Sequence, residues 1–221
     1  MKNSEVFKLF GDFFFTRGFQ KRKTMVYQLN DYISLCFFFE CTNIGSVYFA
    51  YSFFPIIMPS DFFHYTYGGR LEDILPGKHT SLTTPYETEE SIQEWVQNVK
   101  DAVDSKLIPF YQMIENPATL LNLLNSDKKD RIISCPFADR LMLSAYLKTY
   151  MGKSAKETLR YIDFAKDYLL FSPMVQLSEE LRFNKVEELD VLASYAKCSD
   201  KDRVLFFNNI KNEMRDKFFK P

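Results

Sequence analysis

Between Met25 and Phe53 the apolar residues fall on alternate positions, and the odd numbers carry them: Met25, Tyr27 and Leu29, then Ile33, Leu35, Phe37, Phe39 and Cys41, then Val47, Phe49, Tyr51 and Phe53. A period of two marks a strand with one face on a core. The stretch therefore predicts three antiparallel strands, turned at Asn30-Asp31 and at Thr42-Asn43-Ile44-Gly45, with the odd positions as a common core face. The even positions mix Ser34, Glu40, Ser46 and Ser52 with Tyr32, Phe38, Tyr48 and Phe54. An apolar patch of that size demands a cover. Two covers are open: the chain's own C-terminal helices, or a protein partner for which Tyr32, Phe38, Tyr48 and Phe54 are the anchors. A fourth strand is expected over 65–71, with Gly68-Gly69 interrupting or bulging it.

On either side of the strands the period widens to that of a helix. Val6, Leu9, Phe10, Phe13 and Phe14 recur at spacings of three and four, predicting a helix over 4–17 with Lys8 and Asp12 opposite and Gly18 closing it. Residues 72–87, rich in Pro, Gly and Thr, read as a loop. From Thr88 a stripe of Ile92, Trp95, Val96, Val99, Val103 and Leu107 predicts a long helix, ended or kinked at Pro109. Asn116-Pro117 is an N-cap followed by proline at the first helical position, and it opens a short Leu-rich helix through Leu124. Four more helices follow at 136–151, 155–171, 179–197 and 200–219, punctuated by Gly152, Pro173, Ser178 and Ser199, with a capping box at Ser154-Ala155-Lys156-Glu157. The last carries Val204, Phe207, Ile210, Met214 and Phe218 on one stripe. The fold class is α+β: an antiparallel β-meander of about four strands flanked by helices, followed by a C-terminal helical bundle. The polar run Asn125 to Asp130 divides a sheet domain at 1–125 from a helical domain, or an extension packed on it, at 126–221.

Composition sharpens this picture in two places. Of the 37 aromatic residues, 20 lie within residues 1–67, as strands prefer. The net charge of −1 gives no global field to attract nucleic acid or an acidic membrane, although residues 1–125 sum to −4 and residues 126–221 to +3. Cys36, Cys41, Cys135 and Cys198 have no paired spacing, so buried free thiols in a reducing compartment are expected. The N-terminus lacks a signal-peptide pattern, and the longest apolar stretch, Val47 to Met58, falls short of the roughly 20 residues a spanning helix needs. A cytoplasmic protein is expected, with no membrane association.

Several of these segments together resemble a known family: the amphipathic first helix, then Gly18-Phe19-Gln20-Lys21-Arg22, the aromatic strands, Gly69-Arg70-Leu71-Glu72-Asp73-Ile74-Leu75-Pro76-Gly77-Lys78, and a Glu-rich helix start. Over residues 4–124 the chain resembles the bacterial proteins grouped as domain of unknown function 4304. The resemblance implies an α+β fold and a bacterial cytoplasmic setting, and it transfers no catalytic residue. It departs at Thr80-Ser81-Leu82, where the family places a tryptophan.

Candidate chemistry concentrates between the sheet and the long helix, in Asp61, His64, Tyr67, Arg70, Asp73, Lys78 and His79. His64, Tyr67, Arg70, Lys78 and His79 would bind a small ligand or anion there, with a histidine as acid or base, if they converge. The competing expectation pairs Arg70 with Asp73 or Glu72 and leaves the histidines solvated. No nucleophile elbow, phosphate loop or zinc-protease motif is present, so no catalytic residue, metal or other cofactor is assigned. Arg17, Lys21, Arg22 and Lys23 crowd beside Phe19 and Tyr27, a mixture that also occurs in nucleic-acid binders. The same residues serve as a solvated helix end and edge strand, and nucleic acid is disfavoured as a partner. The sequence thus points to a noncatalytic interaction protein, an accessory or immunity-type factor with a protein partner of unknown identity. The alternative is an enzyme or ligand binder built around His64, Arg70 and His79. Oligomeric state is left open.

Overall fold

The computed structural model describes residues 3–43, 45–61, 67–83, 87–126, 132–133 and 135–220. It has the expected α+β class. The sheet contains β1 (Gln20–Arg22), β2 (Met25–Leu29), β3 (Ile33–Cys41), β4 (Ser46–Pro55), β5 (Gly68–Arg70) and β6 (Ser81–Thr83), antiparallel throughout. The order is β1-β2-β3-β4, and β5 and β6 both pair with the far edge of β4. Arg70 lies opposite Ala50 and Ser81 opposite Tyr48, so β5 and β6 act as one edge strand from which residues 71–80 make an excursion. That excursion, read as plain loop from sequence, holds the short helix α2 (Leu71–Ile74).

Register corrects the expected face of the first strand. Leu35 pairs with Phe53 and Phe37 with Tyr51, so odd positions of β3 and β4 do share a face. In β2, however, Val26 pairs with Phe37 and Tyr27 with Cys36. Four residues separate the paired Leu29 and Ser34, and an even-membered connection reverses parity between strands. Val26 consequently enters the odd-face core, whereas Met25, Tyr27 and Leu29 look the other way. The polar Gln20-Lys21-Arg22 strand, which forms a hairpin with β2, is the edge strand expected of the basic run.

The odd face is covered by α1 (Asn3–Leu9) and α3 (Glu89–Ala102). Phe10 stacks on Phe39 at 5.2 Å, Phe14 meets Phe37 at 5.7 Å, and Trp95 lies 5.8 Å from Phe39 and 5.7 Å from Phe10. The first helix is shorter than predicted because Gly11 takes φ +51°, which breaks the ladder; a 3-10 turn at Phe15–Arg17 and a left-handed Gly18 complete the segment. Pro109 does not end the long helix. A π-helical turn at Val103–Leu107 absorbs the disturbance, and α4 (Ile108–Met113) continues it.

Then come α5 (Pro117–Leu124), α6 (Phe137–Tyr150), α7 (Ala155–Phe171), α8 (Glu179–Ala196) and α9 (Asp200–Phe218), close to their predicted bounds. Ser178 and Ser199 cap as serines should, accepting from Leu181 N and Asp202 N. The Ser154 capping box does not form: its side chain makes no cap bond, and Glu157 instead takes Lys148 Nζ at 2.5 Å. One cluster of buried side chains runs from Val6 to Phe219.

Candidate functional site

Of the five residues expected to converge on a ligand, His64 lies outside the described residues, and Tyr67, Arg70 and His79 each engage partners of their own within the chain. Arg70 ends β5 on the even face. Its guanidinium lies 4.4 Å above the Tyr48 ring and meets Glu40 Oε2 through Nη2 at 2.6 Å and Nε at 2.8 Å, with Glu72 at 3.9 Å. Asp73 accepts the Arg70 backbone N–H at 2.7 Å. Tyr67 is buried and donates to the Asp139 carbonyl at 3.0 Å, and burial pushes its phenol well above the ordinary range. Lys78 is exposed.

His79 sits at the far end of the excursion, against the start of α3. Its Nε2 is 3.7 Å from Glu87 Oε2 and its Nδ1 is 3.5 Å from Ser91 Oγ. The residue types are those of a hydrolase triad, but the proton order is not. Ser91 donates its hydroxyl proton to Glu87, which also accepts Thr83 N–H at 2.6 Å. Ser91 above all, then the Thr83 N–H and His79, hold the Glu87 carboxyl below its usual value against a partial burial that would raise it. Together with Thr88, whose hydroxyl accepts Ser91 N–H, this arrangement fastens the first turn of α3 and leaves Ser91 unactivated. Among the described residues no group of three or more His, Cys, Asp or Glu side chains is placed to hold a metal ion.

The even face of the sheet has its cover, and the chain supplies it. Phe54 packs on Phe218 at 5.1 Å and on Phe219 at 5.8 Å, and Tyr27 donates to the Phe219 carbonyl at 2.5 Å. Tyr32 donates to the Ile114 carbonyl and stacks near Tyr150, 6.2 Å between centroids. Tyr32, Phe38 and Phe54 are buried, and Tyr48 is half-covered by Arg70.

The basic run likewise disperses. Arg17 pairs with Asp104 through two contacts of 2.5 and 2.6 Å, Arg22 donates to the Lys217 carbonyl at 2.9 Å, and Lys21 lies 4.7 Å above the Phe7 ring. The thiols are free, but only Cys36 is buried, where Ser34 Oγ is within hydrogen-bond distance at 3.1 Å and burial pushes the thiol up to about 12; Cys135 is half-buried and Cys41 and Cys198 are exposed, correcting the expectation for those three.

What remains open is a surface on α7. On α7 the core stripe is Thr158, Ile162, Ala165 and Leu169. Beside it Tyr161, Phe164, Tyr168 and Phe171 recur at spacings of three, four and three, a second stripe of aromatics alone. Phe164 is 53 % exposed, and Phe171 and the following Met174 are each 77 % exposed. Phe137 stands on Tyr168 edge-to-face at 4.8 Å, and a cavity of about 320 Å³ opens between Phe137, Arg140, Tyr161 and Phe164. The spacing was available in the sequence, but it was hidden by the adjoining core stripe. Compared with protein-family models, curated proteins and solved structures, the chain has no match in any of the three.

Proposed function

We propose that the protein is a noncatalytic interaction factor of the bacterial cytoplasm, accessory or immunity-type, which holds a protein partner against the outer aromatic stripe of α7. The observation that carries this reading is the exposure of Phe164, Phe171 and Met174 in one run beside Phe137. Large aromatic side chains near an open pocket are what partner anchors look like. Supporting it, Arg70 and His79 each have partners within the chain, which weakens the reading as an enzyme or anion binder. The absence of any helix long and apolar enough to cross a membrane, among the described residues, agrees with a partner met in solution. The resemblance to the domain of unknown function 4304 proteins supplies the bacterial setting of the proposal and nothing about its partner.

The test is capture from a native lysate on immobilised wild-type protein and on the double variant Phe164→Ser, Phe171→Ser. Both positions are exposed, so the variant should keep its fold, checked by circular dichroism and thermal unfolding. A protein retained in stoichiometric amount by the wild type and lost by the folded variant is the expected result. Equal retention by both, or none by either, would overturn the proposal.

A further inference from the structure

The edge of the sheet at β1 carries a second site. Among the described residues β1 pairs only with β2, in the register Arg22 to Met25, Lys21 to Val26 and Gln20 to Tyr27. In a hairpin closed by two residues, here Lys23-Thr24, the closing pair is of the hydrogen-bonded kind and bonding alternates along the ladder. Lys21 is then the residue whose N–H and C=O point outward from the edge. Its side chain shares the face of Val26 and lies over Phe7.

Directly beside that edge is a groove of about 440 Å³, lined by the apolar Phe7, Phe14, Phe15 and Val26 and by the charged Lys8, Asp12 and Lys21. Gly11 helps keep it open, because a side chain there would stand in empty space at the groove wall. Neither Lys8 nor Lys21 has a carboxylate within ion-pairing distance among the described residues.

We infer that this groove docks an extended acidic peptide segment, which adds to β1 as a further strand, sets an apolar side chain among Phe7, Phe14 and Phe15, and places carboxylates against Lys8 and Lys21. Strand addition takes its affinity from the main chain and its specificity from pockets for alternate side chains, and this edge offers both. Lys8 and Lys21 stand against Asp12 alone, so the lining carries a net positive charge, which selects the sign of the occupant. A nucleic-acid strand fits less well: Arg17 and Arg22 are turned to Asp104 and to the Lys217 carbonyl, which leaves too few free cations to follow a phosphate backbone. The site shares no residue with the α7 stripe, so either proposal survives the failure of the other.

The probe is a fluorescein-labelled peptide Thr-Glu-Thr-Phe-Thr-Glu-Thr, whose two Glu flank Phe on one face of a strand. Its comparators are the same peptide with Lys in place of both Glu, and a short labelled oligodeoxythymidine. Anisotropy titrations on the wild-type chain should show binding of the acidic peptide that weakens with salt, and weakens by about tenfold for the double variant Lys8→Gln, Lys21→Gln. Lys201→Gln, on an exposed part of α9, should change nothing. Saturating peptide should also slow hydrogen exchange at the Lys21 amide, a signal that charge alone would not produce. The inference is overturned if the Lys peptide or the oligonucleotide binds as tightly, if the acidic peptide does not bind, or if Lys21 exchange is unaltered. The comparison among probes uses the unmodified chain, so it stands even where a variant fails to fold.

Discussion

Single positions in this fold carry recognisable strain and recognisable necessity. Lys23 is the one non-glycine residue with positive φ among the described residues, at +50°, and it occupies the first central position of the β1-β2 turn, where a primed hairpin turn favours glycine. Lys23→Gly should therefore raise stability by about 0.5 kcal/mol, since relief of a left-handed conformation outweighs the added freedom of the unfolded chain. Urea unfolding would read it as a higher midpoint at unchanged slope. Gly68 is the converse. A Cβ there would run into the backbone carbonyl of Tyr51 on the paired strand, and a main-chain atom cannot step aside. Gly68→Ala should cost about 1–3 kcal/mol or more by the same assay. Glu188 is a titratable case. Burial raises its carboxyl above the ordinary value, Asp61 adds to the shift and Lys185 opposes it, with Tyr67 and Tyr146 also facing it. A raised folded value means that stability falls as pH climbs from the unfolded value through the folded one. Glu188→Gln should thus stabilise the chain at neutral pH, and the gain should vanish in acid, below the unfolded carboxyl range. A melting series across pH with the gain independent of pH would contradict this.

At the level of elements, the end of α9 determines what the sheet presents. Phe219 is buried between Tyr27, at 5.0 Å, and Phe54, at 5.8 Å, and its carbonyl takes the Tyr27 hydroxyl. Lys217 adds contacts to the Ser60 carbonyl at 3.0 Å and to Asp61 at 2.8 Å. Phe219→Ala should cost about 3 kcal/mol or more, as truncation of a buried phenylalanine does, and should increase dye binding to the aromatic even face. How far such elements could be read in advance depended on what kind of signal they leave. The helices from α6 to α9 were legible because punctuation and period agree, as at Ser178 and Ser199. Register was not, because parity across the β2-β3 link turns on one residue of loop length, invisible to alternation within a strand. β1 and α2 are too short and polar to be periodic. The aromatic even face was legible as a surface needing a cover, whereas the identity of that cover is a long-range contact between residues 54 and 219 that no local pattern encodes. The α7 stripe could have been found by testing each helix for a second apolar face.

The whole molecule is joined across its halves at Asp31, in the turn between β2 and β3. Asp31 accepts from Tyr150 on α6 and from Lys211 on α9, the latter at 3.0 Å, and Lys211 also lies 5.5 Å from the Tyr150 ring. The ammonium of Lys211 is nearly enclosed, while 66 % of the Asp31 side chain meets solvent. A fully buried pair broken on one side loses about 3–5 kcal/mol, and an exposed one about 1 kcal/mol or less. Solvent reaches this pair from the Asp31 side, so Asp31→Ala should fall near the lower figure, about 1 kcal/mol at neutral pH. Its pH dependence separates the pair from mere packing. Partial burial would raise the Asp31 carboxyl, but hydrogen bonds from Tyr150 and Lys211 together with the charges of Lys211 and Arg215 outweigh it, and the folded value is lowered. A lowered value means stability that is present above the unfolded carboxyl range and lost as pH falls through the folded one. Wild type and Asp31→Ala should therefore differ at neutral pH and converge in acid, in urea titrations followed by far-ultraviolet circular dichroism. Because the buried cluster is continuous from Val6 to Phe219, both proteins should unfold in one transition. A difference between them that persisted below about pH 2 would mean that Asp31 acts through the shape of its turn and not through its charge.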